Sequence, residues 1–354
     1  MRRGLALLLL PAMAAGEDYG AWAASMGGTY ETTAGGARLS FAFAGVRDGA
    51  MDAVSRVPGL AVLDLSRAHI TDAGMERLRD LKGVRELNLF FAEQITDISM
   101  AHIRNWRELE RLSVHGADIT DTGLKHIAAI TSLRSLDVRM TLITDVGLNH
   151  LRKLTALEEA AVGGNKITGL GLMFIQSLPK LRRLSLSGRQ MRNSGIWSAS
   201  ITDFDLDTVA SVTTIEWLDL GGTGITDRGL AKLAPLAALR EIDISGTKAS
   251  GAPLASFGKL ERIRAAGAKI SDATVAEWKR LPALRSLDVG NTAITDAALE
   301  ALAGHAALRI LHVDGAKTTA AGVERFRKRT PACRVEFDGG GAAGNMMGAR
   351  EKGQ

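Results

Sequence analysis

Residues 109–130 read LERLSVHGADITDTGLKHIAAI. The first part of this stretch, Leu109 to Val114, alternates apolar residues with a period of two, which predicts a short strand with one buried face. The last part, Gly123 to Ile130, places apolar residues at i, i+3 and i+4, which predicts an amphipathic helix. One strand, one polar turn and one helix therefore make up this stretch.

The same pattern, L-x-x-L-x-L followed by a turn and I-T-D-x-G-L, recurs along most of the chain. Every one of its strand positions is apolar, and only Ala160 and Ala265 are small. The pattern begins at Leu60, Val84, Leu109, Leu133, Leu157, Leu181, Ile215, Leu239, Leu260, Leu284 and Leu308. One such repeat cannot bury its apolar face alone, so the repeats must stack. Parallel strands lie ~4.8 Å apart and helices ~10 Å apart. We therefore expect an α/β solenoid curved as a horseshoe, with a parallel sheet on the concave face and helices on the convex face.

The pattern resembles leucine-rich-repeat proteins of the I-T-D-x-G-L type over about residues 38–337. That type is familiar from the cysteine-containing repeats of F-box proteins and from many exported bacterial repeat proteins. The resemblance implies the solenoid fold and, only loosely, a binding function. The turn position where the cysteine-containing type has Cys holds other residues here: Ala117, Thr141, Asn165, Thr223, Thr247 and Thr292. No segment resembles an F-box, so a ubiquitin-ligase role is not implied.

Threonine and aspartate recur where each helix begins. A threonine hydroxyl can cap the first turn, and a carboxylate there is favoured by the helix dipole. The aspartates are Asp72, Asp97, Asp121, Asp145, Asp203, Asp227, Asp272 and Asp296. An aligned column of carboxylates could also suggest calcium, but helix capping explains these positions more simply.

The N-terminus is typical of a secretory signal peptide, residues 1–14. Arg2 and Arg3 precede the apolar run Leu5 to Leu10, and Ala12-Met13-Ala14 forms a cleavage site. That run is too short to span a membrane, and no longer apolar run exists, so we expect no transmembrane segment. Export to the periplasm, the cell surface or the medium is expected. Loss of the two arginines leaves 42 basic against 39 acidic side chains, a formal charge of +3 in place of +5. The basic residues are dispersed, so nucleic acid is a poor candidate partner.

The repeats define the expected domain boundaries. Residues 15–59 are predicted to form an N-terminal cap and a degenerate first repeat, in which Leu39 to Phe43 is the strand and Val46-Arg47-Asp48 replaces Ile-Thr-Asp. Residues 60–331 are the eleven repeats, 332–337 a C-terminal cap strand and 338–354 a disordered tail. The single cysteine, Cys333, is expected to be buried in this cap.

Three repeats depart from the usual length of 24 residues. The repeat from Leu181 to Ile215 spans 34, and its extra residues, 189–200, are predicted to form a loop that could serve binding. The repeat that begins at Leu239 spans 21 and has Ser250-Gly251-Ala252-Pro253 in place of the Thr-Asp start. The repeat containing Phe90 and Phe91 spans 25, which indicates a bulge and a pair of aromatic side chains that could be exposed.

Residues that flank the buried strand positions should face the open side of the sheet. Aromatic and Arg side chains there are typical interface anchors. One predicted binding cluster contains Phe90, Arg111, His115 and Arg139. The other contains Trp217 with Trp197, Arg183, Arg262 and Arg264. A solvated sheet face with no ligand is the alternative interpretation of both clusters.

The sequence favours a secreted protein-binding scaffold with a protein or glycan partner on the concave face. A structural cell-surface protein that self-associates is the alternative, and an enzyme is a remote one. His115 and Asp137 could form an acid–base pair, but no nucleophile motif accompanies them. His102, His126 and His150 share one repeat position, although helices ~10 Å apart hold them too far apart for one metal. We therefore expect no catalytic residues, no metal and no cofactor.

Overall fold

The structure is a computed structural model that describes residues 18–192 and 195–338. For residues 189–192 and 195–197 it describes the backbone alone. The predicted signal peptide, residues 1–14, and residues 339–354 of the predicted tail lie outside the described residues. Within the described ranges, no helix has both the length and the apolar character needed to cross a membrane.

Short strands recur once per repeat, where the period-two pattern places them. The strands are β1 Thr29–Thr33, β2 Gly36–Ser40, β3 Leu60–Asp64, β4 Glu86–Asn88, β5 Arg111–Ser113, β6 Ser135–Asp137, β7 Glu159–Ala161, β8 Arg183–Ser185, β9 Arg189–Arg192, β10 Gly195–Ser198, β11 Trp217–Asp219, β12 Glu241–Asp243, β13 Arg262–Arg264, β14 Ser286–Asp288, β15 Ile310–His312 and β16 Arg334–Glu336. The central residue of each three-residue repeat strand is buried, as is the equivalent Leu63 of β3, whereas the flanking residues are mostly half-buried or exposed.

One helix, or a short helix followed by a 3-10 turn, crosses back after most repeat strands. The α-helices are α1 Tyr19–Ser25, α2 Met51–Val54, α3 Asp72–Arg77, α4 Asp97–Ile103, α5 Asp121–Ile127, α6 Asp145–Leu148, α7 Gly169–Leu172, α8 Leu206–Ala210, α9 Asp227–Lys232, α10 Asp272–Trp278, α11 Asp296–Leu302 and α12 Ala320–Arg329. The 3-10 helices are Asp48–Ala50, Asn149–Lys153, Met173–Ser177 and Ala252–Ser256. The helices bury leucine, isoleucine, valine and methionine against the sheet, so the core consists of thin apolar layers.

The chain divides into two compact units. Unit 1 contains the described residues up to 181 together with 188–199, and unit 2 contains 182–187 and the described residues from 200 onward. In unit 1, β1 and β2 form an antiparallel hairpin and β2 to β7 pair in parallel, each with the strand of the next repeat. In unit 2, β8 pairs with β11, and β11 to β16 continue in parallel. Each unit is thus a stack of repeats with an open parallel sheet on one side, as the sequence predicted.

The start of the chain differs in detail from the sequence-based expectation. Helix α1, which the sequence did not predict, precedes the hairpin, and Asp18 caps it by accepting from the amides of Gly20 and Ala21. Strand β2 ends at Ser40 rather than continuing to Phe43. The backbone of Phe43 has a φ of 60°, which is incompatible with an extended strand.

Threonine caps most of the repeat helices, as predicted. Thr120, for example, precedes α5 in extended backbone and its hydroxyl accepts a hydrogen bond from the amide of Thr122. The aspartate that follows each threonine serves the next repeat instead. Asp97 accepts hydrogen bonds from the amide and the hydroxyl of Thr120, one repeat later.

This aspartate–threonine ladder recurs wherever both residues are present, and serine takes the place of threonine in one further pair, Asp227–Ser250. Its pairs are Asp48–Thr71, Asp72–Thr96, Asp97–Thr120, Asp121–Thr144, Asp145–Thr168, Asp203–Thr226, Asp227–Ser250, Asp272–Thr295 and Asp296–Thr319. The glycine of I-T-D-x-G-L makes room for it, since a Cβ on Gly147 would lie 2.2 Å from Oδ1 of Asp121. The motif therefore encodes the joint between repeats as well as the helix start.

Two irregular repeats take forms that the sequence did not predict. The inserted residues 189–200, predicted as a loop, contain the antiparallel hairpin β9–β10, in which Trp197 pairs with Gln190. The prediction of a loop is therefore wrong for most of this segment. In the shortened repeat, Gly251 takes a φ of 76° and a 3-10 helix replaces the α-helix. The indole of Trp278, buried beside it, donates to the carbonyl of Gly251 at 3.1 Å.

Candidate binding site on the open sheet face

The side chains of β11 alternate between the core and the open face of the unit 2 sheet. Leu218 is fully buried, whereas Trp217 is half-buried. On the same face, Asp219 accepts hydrogen bonds from the hydroxyls of Ser185 and Ser187. Trp217 therefore lies on the surface of the sheet, where a large apolar side chain is not needed for packing of the core.

The register of the strands places Trp217 between Arg183 of β8 and Glu241 of β12. The guanidinium carbon of Arg183 lies 4.5 Å from the centre of the indole, which is a cation–π contact. This pairing agrees with the predicted cluster. Trp217 and Arg183 thus form a stacked pair on the open face.

The other two arginines of this predicted cluster do not reach Trp217 directly. Glu241 separates Trp217 from Arg262, and Arg262 donates to Glu241 at 2.7 Å. Arg264, also half-buried, lies in register with Asp243 and Asp288. The side chain of Trp197 lies outside the described part of the structure. The face therefore presents a stacked Arg–Trp pair next to an ion pair, in place of one continuous basic cluster.

In unit 1 the structure brings together two of the four residues of the predicted cluster. The rings of Phe90 and His115 are 4.8 Å apart in an edge-to-face arrangement. Arg111 is exposed and lies within 4 Å of two carboxylates, Glu86 at 3.8 Å and Glu159 at 3.9 Å. Arg139 contacts the carboxylate of Asp137 with two of its nitrogens.

His115 and Asp137 are neighbours but are not hydrogen-bonded. Nδ1 of His115 is buried and lies 3.6 Å from Oδ2 of Asp137, beyond hydrogen-bonding distance. Burial raises the pKa of Asp137, but the nearby His115 and Arg139 outweigh burial and hold this pKa at about 2. Asp137 is therefore ionised at neutral pH and engaged by Arg139, which does not suit it to the role of a general acid.

An aromatic–arginine cluster lies at the turns that follow the strands of unit 1, and sequence reasoning had singled out its Phe90, Phe91 and His115 but missed the role of Phe43 and Arg67. It consists of Phe43, Arg67, Phe90, Phe91 and His115. The guanidinium carbon of Arg67 lies 5.3, 5.9 and 5.4 Å from the ring centres of Phe43, Phe90 and Phe91. The Phe91 ring is also 4.7 Å from Phe90 and 5.3 Å from His115. The cluster gathers side chains from the turns of four successive repeats.

This cluster has an unusual backbone. Phe43, Arg67 and Phe91 have φ values of 60°, 54° and 49°, in the left-handed region where glycine is preferred. The equivalent position is glycine in many other repeats, for example Gly116 and Gly246. A left-handed conformation costs a non-glycine residue about 1–2 kcal/mol. Aligning the turns of the repeats could have revealed these three positions from the sequence.

The histidines considered as metal ligands form no metal-binding group with other side chains in the described ranges. Between residues 18 and 338, omitting 193 and 194, no group of three or more His, Cys, Asp or Glu side chains is arranged to ligate a metal ion. His102, His126 and His150 are each half-buried.

Comparisons with known proteins agree with this architecture. The family model described as Leucine Rich repeat matches residues 60–78, 213–234 and 281–303, each of which spans a strand, turn and helix or their equivalent. A search of the curated proteins found no match. Among solved structures, an internalin of Listeria monocytogenes is similar over 81% of this chain and 82% of its own, with a TM-score of 0.56 and 20% identity.

A leucine-rich-repeat protein of Leptospira interrogans is similar over 81% of this chain and 74% of its own. Its TM-score is 0.52 and its sequence identity is 19%. At such identities the likeness concerns the fold alone. The repeat motif, the parallel strands with their returning helices and the family-model matches together show that the chain contains leucine-rich repeats and has the fold of a leucine-rich-repeat solenoid.

Proposed function

We propose that this protein is an exported scaffold that binds a protein partner on the open face of its repeat sheet, with Trp217 at the centre of the contact. The observation that carries the proposal is the stacked pair of Trp217 and Arg183, 4.5 Å apart on a strand surface that the core does not require. Tryptophan and arginine are the side chains most enriched among residues that dominate interface energies. The stacking restrains both side chains before binding, so less conformational entropy is lost when a partner covers them.

The charges around the pair support a protein partner. Arg262 and Glu241 are already paired, so this part of the face offers both signs of charge within one small area. Such a surface matches a partner that also carries mixed charge, as proteins do, better than it matches a polyanion. A glycan partner and self-association of the chain are the competing proposals. Neither the family match nor the site geometry indicates an enzyme.

Export is supported by the sequence of residues 1–14 alone. The basic pair Arg2-Arg3, the apolar run and Ala12-Met13-Ala14 are together typical of a cleaved secretory signal.

Affinity capture with matched variants tests the proposal. Wild type, Trp217→Ala and Ile310→Ala would be immobilised and exposed to envelope and secreted fractions of a bacterium that makes the protein. Ile310 is the control because it is an exposed apolar residue at the equivalent position of β15. A protein retained by wild type and by Ile310→Ala, but at least about tenfold more weakly by Trp217→Ala, would support the proposal. Equal retention by all three would refute it, and retention of a glycan alone would favour the competing partner class.

A further inference from the structure

A second surface, in unit 1, has features of a ligand site that the open-face proposal does not use. It lies at the turns after β2, β3 and β4 and contains Phe43, Arg67 and Phe91. Phe43 is 71% exposed although it is a large apolar residue. Arg67 is also exposed, and its guanidinium lies against the rings of Phe43, Phe90 and Phe91.

The donors of Arg67 are available to a ligand. Among the described residues, its guanidinium has no hydrogen-bonding or ion-pair partner, and its contacts are with the rings. Contact with aromatic rings restrains a guanidinium but leaves the N–H groups at its edge free to donate. A planar group with two acceptor oxygens is the complement of such a fork.

A cleft of about 430 Å³ adjoins Arg67. It is lined by Arg67, Ala68, His69, Phe91, Glu93 and Gln94. The cleft occurs where the repeat of 25 residues has its extra residue. In this repeat two residues, Glu93 and Gln94, separate Ala92 from Ile95. In the next repeat Asp118 alone separates Ala117 from Ile119. The irregularity of the repeat therefore coincides with a concave surface beside the restrained arginine.

The backbone at this surface is unfavourable for the residues that form it. Glycine would adopt the φ values of Phe43, Arg67 and Phe91 without strain, and it occupies the equivalent turn in many other repeats. Residues held in left-handed backbone against their preference cluster at active sites, ligand clamps and switch regions. Three such residues in adjacent repeats, with Phe43 and Phe91 both in contact with Arg67, are not explained by packing of the core.

We propose that this surface binds a peptide segment of a partner protein in which a carboxylate adjoins an apolar side chain. The carboxylate accepts two hydrogen bonds from Arg67, and the apolar side chain packs on the exposed ring of Phe43. Glu93, on the wall of the cleft, repels a ligand with many negative charges, which disfavours nucleic acid and sulfated glycans. The amide of Gln94 can both donate to and accept from a peptide backbone.

Selection of displayed peptides tests this proposal even though the partner protein is unidentified. A library of random short peptides on phage would be selected on the immobilised full chain. We expect the enriched peptides to contain Asp or Glu next to Leu, Ile, Phe or Trp. A synthetic peptide of the enriched sequence would then be measured by fluorescence polarisation, together with the same peptide carrying Gln or Asn in place of its acid. The neutral peptide is expected to bind at least about tenfold more weakly.

Variants of the protein separate a binding role from a structural one. Arg67→Gly removes the guanidinium and relieves the left-handed backbone, so its Tm should equal or exceed that of wild type while its affinity for the acidic peptide falls at least about tenfold. Asn291→Gly makes the same backbone change, at a φ of 52°, in unit 2 and should leave the affinity unchanged. Trp217→Ala should also leave it unchanged, because the open-face site is a different one.

Three results would overturn the proposal. They are enriched peptides that lack a common acid, equal affinity of Arg67→Gly and wild type for the acidic peptide, and retention of uronate-containing glycans but no peptide by the wild-type chain.

Discussion

Asp121 accepts two hydrogen bonds from Thr144 of the next repeat, one from its backbone amide at 2.8 Å and one from its hydroxyl at 2.6 Å. Gly147, three residues after Thr144, lies so close that a Cβ there would be 2.2 Å from Oδ1 of Asp121. Three residues of I-T-D-x-G-L thus form one joint, in which the aspartate comes from one repeat and the threonine and glycine from the next. This joint explains why the motif contains all three residues.

The joint predicts a non-additive pair of substitutions. Asp121→Ala removes a charged acceptor and leaves two donors of Thr144 without their partner, so we expect it to lower the free energy of unfolding by about 2–4 kcal/mol. Gly147→Ala should cost a similar amount, because its methyl group displaces the carboxylate. In the double variant the clash with the carboxylate no longer exists and only a tight contact of 3.1 Å with the Cα of residue 121 remains, so its loss should be well below the sum of the two single losses.

Urea denaturation of the four proteins measures this cycle. Gly49→Ala is a suitable control for the added methyl group, since nothing lies within 4 Å of a Cβ at that position. Fully additive losses in the double variant would show that the glycine is required for another reason.

Two strand aspartates should contribute to the pH dependence of stability in opposite directions. Asp137 and Asp243 both end a repeat strand and both accept from the amide two residues later. Despite burial, His115 and Arg139 lower the pKa of Asp137 from 3.8 to about 2, so its ionised form favours the folded state. Its contribution, on the order of 2 kcal/mol, is present above about pH 4 and is lost as pH falls toward 2.

For Asp243 the sign is reversed. Burial and the nearby Asp219 raise its pKa, so stability decreases as pH rises through the raised value and the ionised form is unfavourable at pH 7. We therefore expect Asp137→Asn to destabilise the protein at pH 7 and to flatten its acid dependence below pH 4. Asp243→Asn should be neutral or stabilising at pH 7. Urea midpoints at pH 7, 5, 4 and 3 distinguish the two variants, and equal destabilisation at pH 7 would contradict the assignment.

The shortened repeat should be intolerant of a side chain at Gly251. A Cβ there would lie 2.6 Å from the Trp278 ring, and the φ of 76° disfavours any residue with a Cβ. Gly251→Ala should therefore cost about 2–4 kcal/mol, from the strain of the left-handed backbone and from displacement of the buried indole. Gly258→Ala, in the same repeat, places its methyl group in open space and should have little effect on the urea midpoint.

Processing of the N-terminus can be tested directly by mass. When the full chain is produced in a bacterial host, the exported protein should begin at Ala15 after removal of residues 1–14. Ala14→Phe places a large side chain at the cleavage site and should leave the chain unprocessed. Intact-mass measurement of the periplasmic, membrane and medium fractions reports both outcomes, and an unprocessed wild-type chain found only in the cytosol would contradict export.

The sequence predicted the regular part of the fold because the strand and the helix of each regular repeat recur with the same period of 24 residues. Each L-x-x-L-x-L motif buries its central leucine or its equivalent, such as Leu112, and each threonine cap, such as Thr120, precedes its helix. Both effects are local in the chain, so periodicity alone reveals them. The partner of Asp97 is not local, since Thr120 lies one repeat away and is adjacent only after stacking.

The candidate sites were predicted less well, for a similar reason. Trp217 and Arg183 were expected to be neighbours and are in contact, because their strands have the same register. The same register places Glu241 between Trp217 and Arg262. A prediction based only on aromatic and basic residues does not include this glutamate. The cluster around Arg67 depends on left-handed turns and side-chain directions, which a pattern of apolar residues does not report.

The aspartate–threonine joint also bears on how such a chain can change in length. In a regular repeat the threonine bonds to the aspartate of the preceding repeat, and the aspartate bonds to the threonine of the following repeat, as Asp121 and Asp145 illustrate. Such a repeat is interchangeable with its neighbours. After duplication or loss of one such repeat, each aspartate of the regular repeats still has a threonine and a glycine in the repeat that follows it. The repeat of Thr168 has Gly169 in place of this aspartate and therefore has no carboxylate to offer, and Thr202 instead bonds to Asp205 of its own repeat. Lengthening of the chain by duplication is thus favoured within the runs of regular repeats. The irregular repeats are not expected to be duplicated in tandem.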